Sequence, residues 1–175
     1  MATNQRASIT MTDDEIVAFI ERQRTATIAT VGSSGFPHLV AMWYAVFDDH
    51  MWIETKAKSQ KVENLRRNDR VTLLLEDGLT YDSLRGVSFE GHGVIIDDPD
   101  TLWRVGVSVF ERYMGPYTEE MRPLVEVMIH NRIVVRIDVE RVRSWDHRKL
   151  GMARMEVGGS TAGYLHEHEP SLRAD

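Results

Sequence analysis

The chain has 175 residues, 42% hydrophobic and 27% charged, which fits one globular domain with a modest core. Its 21 basic and 27 acidic side chains leave a net charge of -6, a balance that disfavours generic nucleic-acid binding. The absence of cysteine excludes disulfides and thiolate metal sites, and no apolar run approaches the length of a membrane span.

Residues 1–11 read as a loose polar arm without the apolar stretch of a secretory signal, so the expected location is cytoplasmic. Thr12-Asp13-Asp14-Glu15 is a capping box, and Ile16, Phe19 and Ile20 line one face of the helix that follows, which ends near Arg24. Residues 25–31 are rich in β-branched side chains and suit a strand. A turn at 32–35 leads to a second strand over 36–47, and Asp48-Asp49-His50 turns the chain into a third over 51–55. These three strands read as an antiparallel meander.

Ser59 is placed to cap a short helix over 59–68, with Val62 and Leu65 facing inward. Strands follow at 71–76 and 86–97, separated by a polar loop at 77–85. The second carries Gly86, Gly91 and Gly93, which mark bends or close approaches of the kind a small barrel needs. Pro99 opens a helix reaching Tyr113, with Asp97 or Asp98 as its cap. Gly115-Pro116 breaks it, residues 118–131 read as another helix, and 132–145 as a final strand. The pattern thus divides into an arm (1–11), one domain (12–150) and a tail (151–175) expected to drape over a partner subunit. His166-Glu167-His168-Glu169 in that tail lacks further ligands at metal-binding spacing.

One segment carries readable chemistry. A strand ending at Thr55, a short loop and a helix starting at Ser59 bring free backbone N–H groups and a positive dipole end together. Thr55 and Ser59 add hydroxyls; Lys56, Lys58 and Lys61 add charge. This is a phosphate site by chemistry, and a solvated lysine-rich helix start is the competing reading. Trp43, Tyr44 and Trp52 read first as core aromatics, and His38 as a polar strand residue.

The segments Glu54-Thr55-Lys56-Ala57-Lys58-Ser59-Gln60-Lys61 and Asn64-Leu65-Arg66-Arg67-Asn68-Asp69-Arg70-Val71 resemble the phosphate region of the pyridoxamine 5'-phosphate oxidase-like, FMN-binding split-barrel superfamily. The likeness extends to Gly35-Phe36-Pro37-His38-Leu39-Val40-Ala41-Met42-Trp43-Tyr44, the strand that in the family runs under the isoalloxazine ring. It implies a mainly β split barrel with flanking helices, homodimeric, with cofactor sites at the subunit interface. Within the superfamily the chain looks closest to the actinobacterial branch that uses coenzyme F420. The oxidases carry an Arg and a Lys on the ring strand where this chain offers His38 and Trp43, and a flavin-contacting glutamine where it has Gly86.

The resemblance implies an F420-dependent oxidoreductase that moves hydride between the deazaflavin and a small organic acceptor, with no side chain acting as nucleophile. The implied cofactor contacts are His38, Val40, Ala41, Met42, Trp43, Thr55, Lys56, Lys58, Ser59, Gln60 and Lys61. Trp145 and Arg148, in a closing segment Ser144-Trp145-Asp146-His147-Arg148-Lys149-Leu150, are implied for substrate or the dimer interface. A non-catalytic F420- or haem-binding protein and an FMN-dependent oxidase or reductase are the alternative readings.

Overall fold

The structure, a computed structural model, describes residues 5–159. Its elements run α1 (Gln5–Ser8), α2 (Asp13–Arg22), β1 (Ala26–Val31), β2 (Pro37–Met42), β3 (Ala45–Phe47), β4 (His50–Lys56), α3 (Gln60–Arg67), β5 (Arg70–Asp77), β6 (Arg85–Ile96), α4 (Pro99–Tyr113), α5 (Arg122–Ile129) and β7 (Arg132–Asp146). Both arms of the capping box form, between Thr12 and Glu15. Asp98, not Asp97, caps α4, accepting from Thr101 N at 2.8 Å.

All seven strands lie antiparallel in one sheet of order β2-β1-β5-β6-β7-β4-β3. Its two edge strands, β2 and β3, are consecutive in the chain and separated only by Trp43 and Tyr44. That short link carries the backbone from one edge of the sheet to the other and closes it into a split barrel with flanking helices. The expected meander is therefore corrected: β2 pairs with β1 alone and β4 with β3 and β7. Residues 36–47 are one extended segment by composition, but the in–out alternation of β2, kept through exposed Trp43 and buried Tyr44, breaks at Ala45, which is buried too and packs in the second core cluster. A switch of this kind breaks the ladder without showing in the composition.

The barrel interior is filled by Ile28, Tyr44, Ile53, Leu73, Leu75, Val87 and Ile137, with Leu65 from α3 and Phe19 from α2 closing its ends. On the other side of β4 and β7, Trp52 and Val134 pack with Val105 and Val109 of α4. β4 is consequently buried on both faces from Met51 to Thr55, with the apolar Met51-Trp52-Ile53 at its centre and Glu54 and Thr55 buried beside them.

Two more expectations are revised. The end of the arm is docked: Met11 is buried, its N–H donates to Ser144 Oγ at 3.1 Å, and Asp146 N donates to Ile9 O at 2.7 Å. The helix expected over 118–131 begins as a 3-10 turn, Glu119–Met121, and becomes α-helical only from Arg122. Among the described residues no helix is long and apolar enough to cross a membrane. No cluster of three or more His, Asp or Glu there could hold a metal, and His166 and His168 lie outside the described residues.

Candidate functional site

The turn from β4 into α3 is built as the residue types suggest, with one rearrangement. Ser59 occupies the N-cap, but its hydroxyl caps none of the first-turn N–H groups and instead lies 3.2 Å from Thr55 Oγ1. Val62 N and Glu63 N donate to Ser59 O at 3.0 and 3.1 Å, which leaves the Gln60 and Lys61 N–H groups at the start of α3 for an external acceptor. Lys61 is only 7% exposed and its ammonium donates to Thr55 Oγ1 at 2.9 Å. Burial first, and then the charge of Arg132, holds the Lys61 pKa below its ordinary value. Lys56 and Lys58 stand exposed on either side of Ala57.

The helix itself is pinned by Asn64, which is fully buried. Its amide donates to Thr30 Oγ1 at 3.0 Å, and its carbonyl oxygen accepts from Gln60 Nε2 at 2.8 Å and Arg67 Nη2 at 2.7 Å. Gln60, expected as a ligand contact, therefore spends its amide inside the helix. Thr30 is the register partner of His38 in the β1–β2 ladder, so Asn64 ties α3 to the strand next to the one expected beneath a ring.

That strand is half available. Val40 and Met42 pack inward against the core, whereas Leu39, Ala41 and Trp43 are exposed. Because β2 is an edge strand, its outer backbone groups have no ladder partner, which suits contact through backbone rather than through Val40 or Met42 side chains. His38 shares the less exposed face of β2 with Val40 and Met42, and its Nδ1 is buried without a hydrogen-bond partner. Trp43 stacks on Tyr113 with centroids 4.4 Å apart, and Arg24 lies over the Tyr113 ring at 5.0 Å.

Trp145 and Arg148 stand elsewhere. Trp145 lines a cavity of about 790 Å³ with Met11, Ile16, Val142 and Arg143. Arg148 forks onto Asp146, with Nε at 2.8 Å from Oδ1 and Nη2 at 2.5 Å from Oδ2, and borders a cavity of about 130 Å³. Along the sheet order β7 is four strands from β2, and neither cavity is lined by a β2 residue. A groove of about 950 Å³ opens between β1, β2 and β5 and the bulge at Glu90/Gly91. Thr55, Ser59 and Lys61 do not line it.

Two residues near the β4–α3 turn escape sequence reasoning. Arg132 stands opposite Lys56 in the β4–β7 ladder, and Glu54, 5% exposed, pairs with it at 3.6 Å. Nothing in the sequence joins positions so far apart; only the strand pairing does.

Barrel, strand-to-helix cation cluster and free edge strand together define a flavin-class cofactor-binding split barrel. The pyridoxamine 5'-phosphate oxidase family model matches residues 12–146, and the chain belongs to that family. It is similar to the F420H(2)-dependent biliverdin reductase of Mycobacterium tuberculosis, 28% identical over 123 residues, 69% of this chain and 85% of the relative. A crystal structure of a conserved hypothetical protein from Mycobacterium tuberculosis is 61% identical, with a TM-score of 0.86, covering 91% of this chain and 99% of the other. A structure described as an F420 reductase shares the fold at a TM-score of 0.56 and 24% identity, over 71% of this chain and 93% of its own.

Proposed function

We propose that the chain is a coenzyme F420-dependent oxidoreductase, working as a homodimer on a small organic acceptor. The observation that carries this reading is the cation set around one strand-to-helix turn: Lys56, Lys58, Lys61 and Arg132 exceed what a lone phosphate monoester needs. F420 carries a phosphodiester and an oligoglutamate tail, so added cations suit it. The similarity to an F420H(2)-dependent reductase supports the same assignment.

When bound, the deazaflavin would supply hydride chemistry at its ring carbon. The chain's own work is then positioning. Lys61, Thr55 and the first turn of α3 hold the phosphate, Lys56 and Lys58 meet the tail, and the open edge of β2 with Ala41 and Trp43 supports the ring.

The separation of β2 from Trp145 and Arg148 supports a composite site. The cavities that Trp145 and Arg148 border include no residue of β2. A second copy would bring its β7 end to this β2.

The test is separate fluorescence titration of the full chain with F420 and with FMN, alongside its mass in solution. Tighter binding of F420 by a dimer is the expected result. Tighter binding of FMN would replace the deazaflavin with a flavin on the same fold, and a monomer that binds F420 fully would remove the composite site.

A further inference from the structure

Among the described residues two carboxylates are buried, Asp146 and Glu54, and they are treated very differently. Asp146 accepts both arms of the Arg148 fork and the Arg148 backbone N–H. Glu54 has a single ionic contact, Oε1 to Arg132 Nη1 at 3.6 Å, beyond hydrogen-bond reach, and its Oε2 has no partner at all. Burial pushes the Glu54 carboxyl pKa up, and Arg132 only partly offsets it. A buried carboxylate left half-satisfied is costly, and such groups persist where the strain serves a site.

The cation on the other side of this pair is equally unsettled. Arg132 emerges on the same sheet face as Lys56 and Glu54, at the last register pair of the β4–β7 ladder. Its side chain is 30% exposed, so it reaches solvent at the turn. Its charge is close enough to Lys61 to disfavour that ammonium. The backbone beside it is fixed to the same turn, because Ala57 N donates to Asn131 O at 3.2 Å and Asn131 sits in the left-handed region at φ 58°. Arg132 is thus anchored by its main chain at the loop of the cation cluster, while its guanidinium is held by one long contact.

We infer that Arg132 is a further phosphate-binding residue of this site, held back by Glu54 and handed to the ligand when a phosphate arrives. The arrangement follows from charge placement. Without ligand, Arg132 and Lys61 repel one another and Glu54 offers the nearest countercharge. A phosphate between them gives the guanidinium the two-point acceptor that Glu54 does not. The exchange moves no bond; it moves one side chain between two anions.

The inference rests on the phosphate-bearing cofactor proposed above, and the test separates the two. Affinities of the full chain for F420, FMN, riboflavin and the deazaflavin lacking its phosphate are measured for wild type, Arg132→Met, Arg132→Lys and Glu54→Gln. Arg132→Met should weaken the phosphorylated ligands by about tenfold or more while leaving the dephosphorylated ones within about twofold. Arg132→Lys should recover part of the loss, because charge is kept and the fork is not.

Glu54→Gln gives the deciding sign. A purely structural ion pair, once broken, would weaken binding of every ligand; release of a held arginine should tighten the phosphorylated ones alone. Wild type that does not prefer phosphorylated ligands would overturn the phosphate site and this inference together. Wild type that does prefer them, with Arg132→Met affecting all four ligands alike or Glu54→Gln weakening F420, would overturn the role of Arg132 and leave the site standing.

Discussion

The indole of Trp145 lies across Gly86, its register partner on β6. A Cβ built on Gly86 would collide with Trp145 Cζ2 and come within 2.9 Å of Leu75 O. The missing side chain at 86 and the present position of the ring are one structural fact, an aromatic residue covering a strand glycine. Any longer residue there, including the glutamine found in related oxidases, requires the indole to leave.

Gly86→Ala should therefore cost about 1–3 kcal/mol, the usual penalty for overfilling a packed position. Trp145→Leu in the same background should return part of the loss by removing the ring contact, while the approach to Leu75 O remains. Urea midpoints of the two single variants and the double variant check this. Additive losses would show that the ring and the glycine are energetically independent.

Lys61 sets stability against function. Its ammonium is buried and desolvated with Thr55 as its hydrogen-bond partner, so the ligand-free fold bears a cost that only a bound anion relieves. Lys61→Met keeps the length and removes the charge. The expected outcome is a urea midpoint equal to or above wild type, with F420 affinity lowered by about tenfold or more, near 1.4 kcal/mol. A lysine kept for packing alone would show the reverse, a lowered midpoint and unchanged affinity.

Much of this fold was legible in the sequence because its signals are local. The capping box at Thr12, the Asp98-Pro99 helix start and the β-branched runs each act over a few residues. The β4–α3 turn was readable for the same reason: hydroxyls, lysines and helix start fall within seven consecutive positions, Thr55 to Lys61. What stayed hidden is long-range. Arg132 joins the cluster only because Lys56 is its cross-strand neighbour. Asn64 looks like a motif residue of the helix, yet its burial against Thr30 is set by the packing of α3 on β1. The closure of the barrel through Trp43 and Tyr44 depends on which strand each half of residues 36–47 pairs with, and the two halves are equally β-prone.

Tyr44 supplies the pH prediction. It is fully buried where the chain crosses between sheet edges, and its Oη lies 2.6 Å from Ile20 O and 2.8 Å from Gln23 O at the end of α2. Arg112 Nη2 donates to the same two carbonyls and to Tyr44 Oη, a cation placed at a helix C-terminus. Burial pushes the Tyr44 hydroxyl up to about 12 from 10.0, with Arg112 opposing. The folded state then holds its proton more tightly than the unfolded state. The stabilisation is complete below pH 10 and is lost as pH rises through about 12. At about 1.4 kcal/mol per pH unit, this span of roughly two units sets a ceiling near 3 kcal/mol. Lys61 acts in the opposite sense. Its lowered pKa makes stability rise with pH over the interval below 10.5, so the measurement is made in the Lys61→Met background. Tyr44→Phe there should cost about 1–2 kcal/mol at neutral pH, the worth of its hydrogen bonds. It should also flatten the alkaline decline, so that the two urea-stability curves converge as pH climbs. A decline of equal slope in both proteins would place the alkaline sensitivity elsewhere in the fold.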